Sequence, residues 1–236
     1  MMALSVKRNL FTVALAALVL GGCLEDNPIY FPLDGGRDWS YGVTLENAKG
    51  IFLQKSFVTN LPSSNVEGEK LVPRRLHNGE IYFYKETDDG VMRVAANRPG
   101  TSLSWESEPT RVLGYPLTPG TRWTQNEQSY LFHEYMGQGD YNEIVVPMLI
   151  VYEIESMGEI VEVPAGVFNN CIKVKGLGET SVRVKTPNPL EDFIDLTVET
   201  TQWFTPHVGL VKSKYHEASS NPRIVGGDYV KVLEKF

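Results

Sequence analysis

Apolar side chains alternate with polar or small ones along most of this chain. Trp39, Tyr41, Val43 and Leu45 recur at every second position, the spacing at which a strand sends neighbouring side chains to opposite faces. An apolar-rich run at 51–58 follows Gly50 and predicts the next strand. His77-Asn78-Gly79 and Asp88-Asp89-Gly90 flank the run at 81–84. Glycine takes the positive φ that tight turns require, so this stretch predicts two consecutive hairpins. Further strands are predicted over 130–135, 144–154, 160–163, 171–174, 181–184, 193–204, 208–215 and 229–233. Pro147 has no N–H to give to a ladder, which predicts that 144–154 is an edge strand or two pieces. A short helix near 126–136 is an alternative to strand there. No segment carries a sustained 3.6-residue stripe between caps. The pattern predicts a mainly β protein: an antiparallel meander forming a strongly curved sheet or (half-)barrel, with few short helices.

One phrase occurs twice. Pro32-Leu33-Asp34-Gly35-Gly36-Arg37-Asp38-Trp39 and Pro116-Leu117-Thr118-Pro119-Gly120-Thr121-Arg122-Trp123 share the form Pro-Leu-x-x-Gly-x-x-Trp, each with an aromatic just upstream, Phe31 or Tyr115. Physically this reads as a turn with glycine at a positive-φ position, feeding a strand that opens on a tryptophan. No long polar linker separates the two copies, so the body from 29 to 236 reads as a single β-rich domain. Two duplicated halves, 29–112 and 113–236, are one reading of the echo, and convergent turn chemistry is the other.

The first 22 residues differ from the rest. Lys7 and Arg8 precede an uninterrupted apolar run at 11–20, then Gly21, Gly22 and Cys23. The run falls short of the ~20 residues a helix needs to cross a bilayer, and its order is that of a secretory signal. It resembles the lipobox of bacterial lipoproteins. That resemblance implies a signal peptide at 1–22 cut between Gly22 and Cys23, and a lipidated tether at 23–28. It also implies that Cys23 carries S-diacylglycerol and an N-palmitoyl chain. Two or three chains on one residue hold a protein to a bilayer far better than one, which alone is marginal. Leu24 stands where aspartate retains enterobacterial lipoproteins in the inner membrane. The expected place is thus the periplasmic face of the outer membrane in a bacterial cell envelope.

Charge narrows the partners. The chain has 22 Lys and Arg against 29 Asp and Glu, a formal charge of −7, and loss of the leader makes it two units more negative. An acidic surface repels phosphates, so nucleic acid is not an expected partner. It also repels anionic head groups, leaving the acyl chains to hold the membrane. After lipidation of Cys23 only Cys171 remains, so no internal disulfide can form.

Chemistry is sparse. His77, His133, His207 and His216 have no metal-ligand spacing with one another or with Cys and Asp. No nucleophile elbow, phosphate loop or dinucleotide fingerprint occurs; Gly176-Leu177-Gly178 reads as a turn. Asp34, Asp38, Asp88, Asp89, Asp192 and Asp195 include close pairs that nothing marks as acid and base. Cys171 is a candidate nucleophile, but a reactive thiol needs a partner that lowers its pKa, and a structural cysteine is the expected role. No catalytic residue, metal or cofactor is predicted.

Two late segments extend the resemblance. Val163-Pro164-Ala165-Gly166-Val167-Phe168-Asn169-Asn170-Cys171 and Trp203-Phe204-Thr205-Pro206-His207-Val208-Gly209-Leu210-Val211-Lys212 resemble motifs of bacterial surface or periplasmic lipoproteins. That family has no assigned biochemical role. Its members carry Pro-Ala-Gly-x-Phe-x-x-Cys and Ala-Pro-Gly-Val-Gly-Leu-Val-Lys; here Thr205 and His207 replace Ala and Gly. Pro164, Gly166, Phe168, Pro206 and Gly209 are expected to shape hairpin corners, as Trp39 and Trp123 shape theirs. The functional expectation is a lipid-anchored, non-enzymatic binding or assembly module that holds an apolar ligand or an envelope protein. An envelope hydrolase and a passive surface component are the alternatives.

Overall fold

The computed structural model describes residues 28–183 and 193–236; Gly22, Cys23 and Asp192 lie outside these described residues. The first strands are β1 (Asp38–Asn47), β2 (Gly50–Asn60), β3 (Ser64–Val66), β4 (Glu69–Leu76), β5 (Ile81–Thr87), β6 (Gly90–Asn97) and β7 (Ser104–Gly114). After them come β8 (Arg122–Gln128), β9 (His133–Gly137), β10 (Asp140–Glu143), β11 (Pro147–Val163) and β12 (Gly166–Arg183). The last are β13 (Phe193–Thr205), β14 (Gly209–Ser219), β15 (Ile224–Val225) and β16 (Gly227–Lys235). No helix occurs among the described residues.

Twelve strands follow one another in a single antiparallel path, β7-β6-β5-β4-β2-β1-β16-β14-β13-β12-β11-β8. The sheet curls until its two end strands meet, giving a nearly closed barrel. β3 pairs with β4 off this path, and β10-β9-β15 form a separate small sheet. With those set aside, β1 to β7 contribute six consecutive neighbours and β8 to β16 six more. The first meander opens after Pro32-Leu33 and the second after Pro116-Leu117, and the change from one to the other falls after Gly114.

The two junctions between the meanders differ. β1 and β16 share an ordinary antiparallel ladder, Val43 opposite Lys231. β7 and β8 are stitched by side chains instead: the Arg111 N–H donates to Gln125 Oε1 at 2.9 Å, and Trp123 Nε1 donates to the Arg111 carbonyl at 3.1 Å. Gly114 makes this approach feasible, because a Cβ there would lie 2.5 Å from Trp123 Cε3.

Inward-facing residues form one large core that includes Trp123, Tyr152, Ile172, Leu196, Phe204 and Tyr215. A second cluster joins Trp39, Tyr41 and Leu233 to Val161, Val163 and Cys171 at the tip of the β11–β12 hairpin. On β1 the exposed face keeps the polar or small half of the alternation, whereas β2 exposes Ile51, Leu53 and Phe57.

Three expectations need correction. Gly176-Leu177-Gly178 is no turn: it lies inside β12, with Gly176 opposite Tyr152 on one side and Thr200 on the other. Pro147 neither makes an edge nor divides a strand: it is the first residue of a 17-residue strand lying between β8 and β12. The first position of a strand tolerates a missing N–H. The register slips later, between Ile154 and Val161, where Gly158 takes φ 79°. The 126–136 stretch is no helix but the end of β8, a turn and β9. Its turn is tied down by Glu217, a buried carboxylate that accepts the N–H groups of Tyr130 (2.8 Å) and Leu131 (3.1 Å) and the Tyr215 hydroxyl (2.9 Å).

Candidate functional site: a cationic cavity inside the barrel

The two Pro-Leu-x-x-Gly-x-x-Trp corners are built alike. Gly36 (φ 80°) donates its N–H to the Asn60 carbonyl, and Asn60 donates back to the Arg37 carbonyl. Gly120 (φ 89°) donates to the Ile154 carbonyl, and Ile154 donates back to Thr121. Trp39 then faces Val58, two residues before Asn60, and Trp123 faces Tyr152, two before Ile154. Both indoles are buried and both donate to a backbone carbonyl, Trp39 to Val208 (2.8 Å) and Trp123 to Arg111 (3.1 Å).

The first corner positions a site. Residues before β1 cross one end of the barrel, where the Ile29 carbonyl accepts from the His207 N–H at 2.7 Å. The Pro32 carbonyl accepts from buried Asn60 Nδ2 (3.0 Å) and from Arg74 Nη2 (2.9 Å). Arg74 Nε donates to Asn60 Oδ1 at 2.7 Å. The guanidinium lies among rings, 4.1 Å from the centroid of Phe31, 5.0 Å from that of Trp39 and 5.1 Å from that of Tyr84, close enough for cation–π attraction.

Beneath this end is a cavity of about 190 Å³, lined by Phe31, Trp39, Tyr41, Arg74, Tyr84, Gln202, Phe204 and Lys231 among others. Eight strands from both meanders contribute to it, so it lies within the barrel. Lys231 Nζ sits 4.2 Å from the Tyr41 ring centroid. Among the described residues neither Arg74 nor Lys231 has a carboxylate within ion-pair distance, and Lys231 makes no hydrogen bond. Burial, and then repulsion from Arg74, pulls the Lys231 ammonium down to about 8; burial likewise lowers Arg74. Burial raises the Tyr41 and Tyr84 phenols, which stay neutral. The cavity thus has two positive groups, aromatic and aliphatic walls and no negative one. Chemically it is suited to receive an anion.

The corner residues take their places elsewhere. Pro164 lies in the β11–β12 turn, Gly166 opens β12 at φ 134°, and Phe168 packs on Phe236 with centroids 5.7 Å apart. Cys171 is fully buried beneath that corner, and burial raises its thiol pKa, the opposite of what a nucleophile needs. Pro206 starts the β13–β14 turn, where His207 adopts φ 62° and Gly209 φ 95°. The histidine therefore occupies a positive-φ position that the resembling motif gives to glycine.

Other titratable groups are held by structural partners. His133 is buried with Nδ1 2.7 Å from the Leu131 carbonyl, and His216 pairs with Asp228 at the surface. Glu127 accepts from the Tyr152 hydroxyl at 2.6 Å, and burial raises both Glu127 and Glu217. Among the described residues no group of three or more His, Cys, Asp and Glu is arranged to hold a metal ion.

No protein-family model and no curated protein matches this sequence. Two solved structures are similar over 89% of this chain and 99% of their own. One is a candidate lipoprotein from Parabacteroides distasonis, at 16% identity and a TM-score of 0.38. The other is a candidate exported protein with YmcC-like fold from Bacteroides fragilis, at 18% identity and a TM-score of 0.37.

Proposed function

We propose that this protein is a lipid-anchored bacterial envelope lipoprotein whose β-barrel is a non-enzymatic binding module. The observation that carries the binding role is the interior cavity with its two unneutralised cations. A hydrolase would instead require nucleophile, acid and base in one accessible cleft. Here Cys171 is sealed under a corner and the Glu217 oxygens are occupied by backbone and tyrosine donors.

The anchor is acylated Cys23, with N-palmitoyl and S-diacylglycerol groups, after cleavage behind Gly22. The lipid bilayer is its first partner, at the periplasmic face of the outer membrane. Pro28 begins the segment that caps the cavity, and five extended residues span at most ~18 Å. The capped end of the barrel therefore stands next to the membrane. We read the body as two copies of one six-stranded meander, a reading supported by the matched docking of Gly36 on Asn60 and Gly120 on Ile154.

An envelope protein is the second occupant we propose, on the outside of the barrel. Ile51, Leu53 and Phe57 share the outer face of β2 and are 65%, 79% and 56% exposed, a row that a partner surface could cover.

Attachment is tested by Cys23→Ser with labelled fatty acid in a bacterial host. The variant is expected to keep its leader and take up no label. Labelling equal to the parent chain would overturn the anchor.

A further inference from the structure

We propose that the barrel interior binds a compact organic anion, with its carboxylate or phosphate head between Arg74 and Lys231 and its apolar body against Phe31, Trp39, Tyr84 and Phe204. The proposal rests on the binding-module reading but not on the anchor.

Three observations converge on this ligand class. Arg74 and Lys231 enter the cavity from β4 and β16, and no carboxylate of the described residues neutralises either. Both side chains are half-buried, and two like charges partly withdrawn from water oppose folding unless something of opposite sign joins them. Both cations also retain donors. Arg74 is engaged through Nε and Nη2, leaving Nη1 for another acceptor, and the three N–H groups of Lys231 have no acceptor among the described residues. Gln202 adds a side-chain amide from β13. The remaining walls are aromatic or aliphatic, so a bare inorganic ion would leave most of the cavity unsatisfied.

Size sets the limit. At ~30 Å³ per water, 190 Å³ holds about six waters, and it is below the ~300 Å³ at which drug-sized pockets begin. Neither an intact phospholipid nor a long acyl chain can be housed whole. A short-chain or single-ring carboxylate, or a phosphate monoester of that size, does.

The test is calorimetric titration of the full-length chain in non-ionic detergent. Benzoate, hexanoate and phenyl phosphate are the organic anions, with inorganic phosphate and uncharged benzyl alcohol as controls. At least one organic anion is expected to bind at one site per chain, and both controls at least about tenfold more weakly, as loss of a hydrogen bond to a charged group implies. Lys231→Met should weaken the organic anion by at least about tenfold without lowering the melting temperature, and Lys231→Arg should retain binding. No binding by any of the three anions would overturn the proposal. So would equal binding of either control, or parental affinity in a folded Lys231→Met chain. Because Cys23 acylation is read separately, anchor and ligand site can fail independently.

Discussion

The Lys231 ammonium lies over the Tyr41 ring, Nζ 4.2 Å from its centroid, and the nearest charged group facing it across the cavity is another cation, Arg74. Burial first and Arg74 second lower Lys231 from 10.5 to about 8. Tyr41 and Tyr84, the other titratable groups facing this cavity, are pushed upward and hold their protons. The folded state therefore favours neutral lysine. Between pH 8 and 10.5 the unfolded chain binds a proton that the folded chain has lost, so stability rises with pH through that window. The gain is on the order of 3 kcal/mol. Lys231→Met should abolish this rise and be more stable than the parent at pH 7, as read by urea melts at several pH values. A parent profile that falls across the window would count against a half-buried, unpaired Lys231.

The β7–β8 junction depends on a missing side chain. A Cβ at Gly114 would meet Trp123 Cε3 at 2.5 Å and Cζ3 at 3.0 Å. The indole cannot easily yield, since it bonds the Arg111 carbonyl and stacks on Tyr152 at 5.4 Å. Gly114→Ala should cost about 2 kcal/mol and shift tryptophan fluorescence in the folded state. A more stable variant would show that the junction tolerates opening.

His207 stands at φ 62°, a conformation that costs a residue with a Cβ ~1–2 kcal/mol. Glycine there relieves that strain but gives back ~0.5–1 kcal/mol in chain entropy. The His207→Gly variant should gain about 0.5–1 kcal/mol in a denaturant melt. Its N–H bond to Ile29 and its carbonyl bond from Arg37 are both backbone groups of residue 207 and persist in the variant.

Glu217 holds the β8–β9 turn by accepting backbone N–H groups on both oxygens. In Glu217→Gln one of those donors must face an NH2 group. A loss of about 2 kcal/mol is expected, with faster amide exchange at Tyr130 and Leu131. Unchanged exchange there would mean that the turn is held by other contacts.

Much of this architecture is legible in the sequence, and the reason is local. Alternation in strands such as β1 and β13 reports one face toward a core, and the glycines after Asn78 and Asp89 mark hairpins whose φ values, 85° at Gly79 and 136° at Gly90, fit the turn chemistry. Curvature toward a barrel is legible, but the place where it closes is not, because the Arg111–Gln125 stitch joins side chain to backbone with no pattern in the chain. The strand around Pro147 shows the same limit: proline's missing donor argues for an edge only when its place in the strand is unknown. Lys231 did leave a trace, since it shares the alternation of Tyr229 and Leu233 and so points inward. Arg74 left less, lying next to Arg75 where three buried residues in a row, Leu71 to Pro73, interrupt the alternation of β4. Neither lysine nor arginine alone suggests a site; the fold makes one by bringing β4 and β16 to the same cavity.

The central claim is that the barrel interior is a cationic binding cavity, and the ionisation of Lys231 tests it most directly. With the lysine side chains carbon-13 labelled and the Lys231 signal assigned from Lys231→Met, the full-length chain can be titrated by NMR. The account predicts a midpoint near pH 8 in the free chain, moving about one pH unit higher when an organic anion saturates the site, since tenfold preference for the charged form corresponds to that shift. A midpoint at the ordinary lysine value of 10.5, unmoved by benzoate, hexanoate or phenyl phosphate, would contradict it.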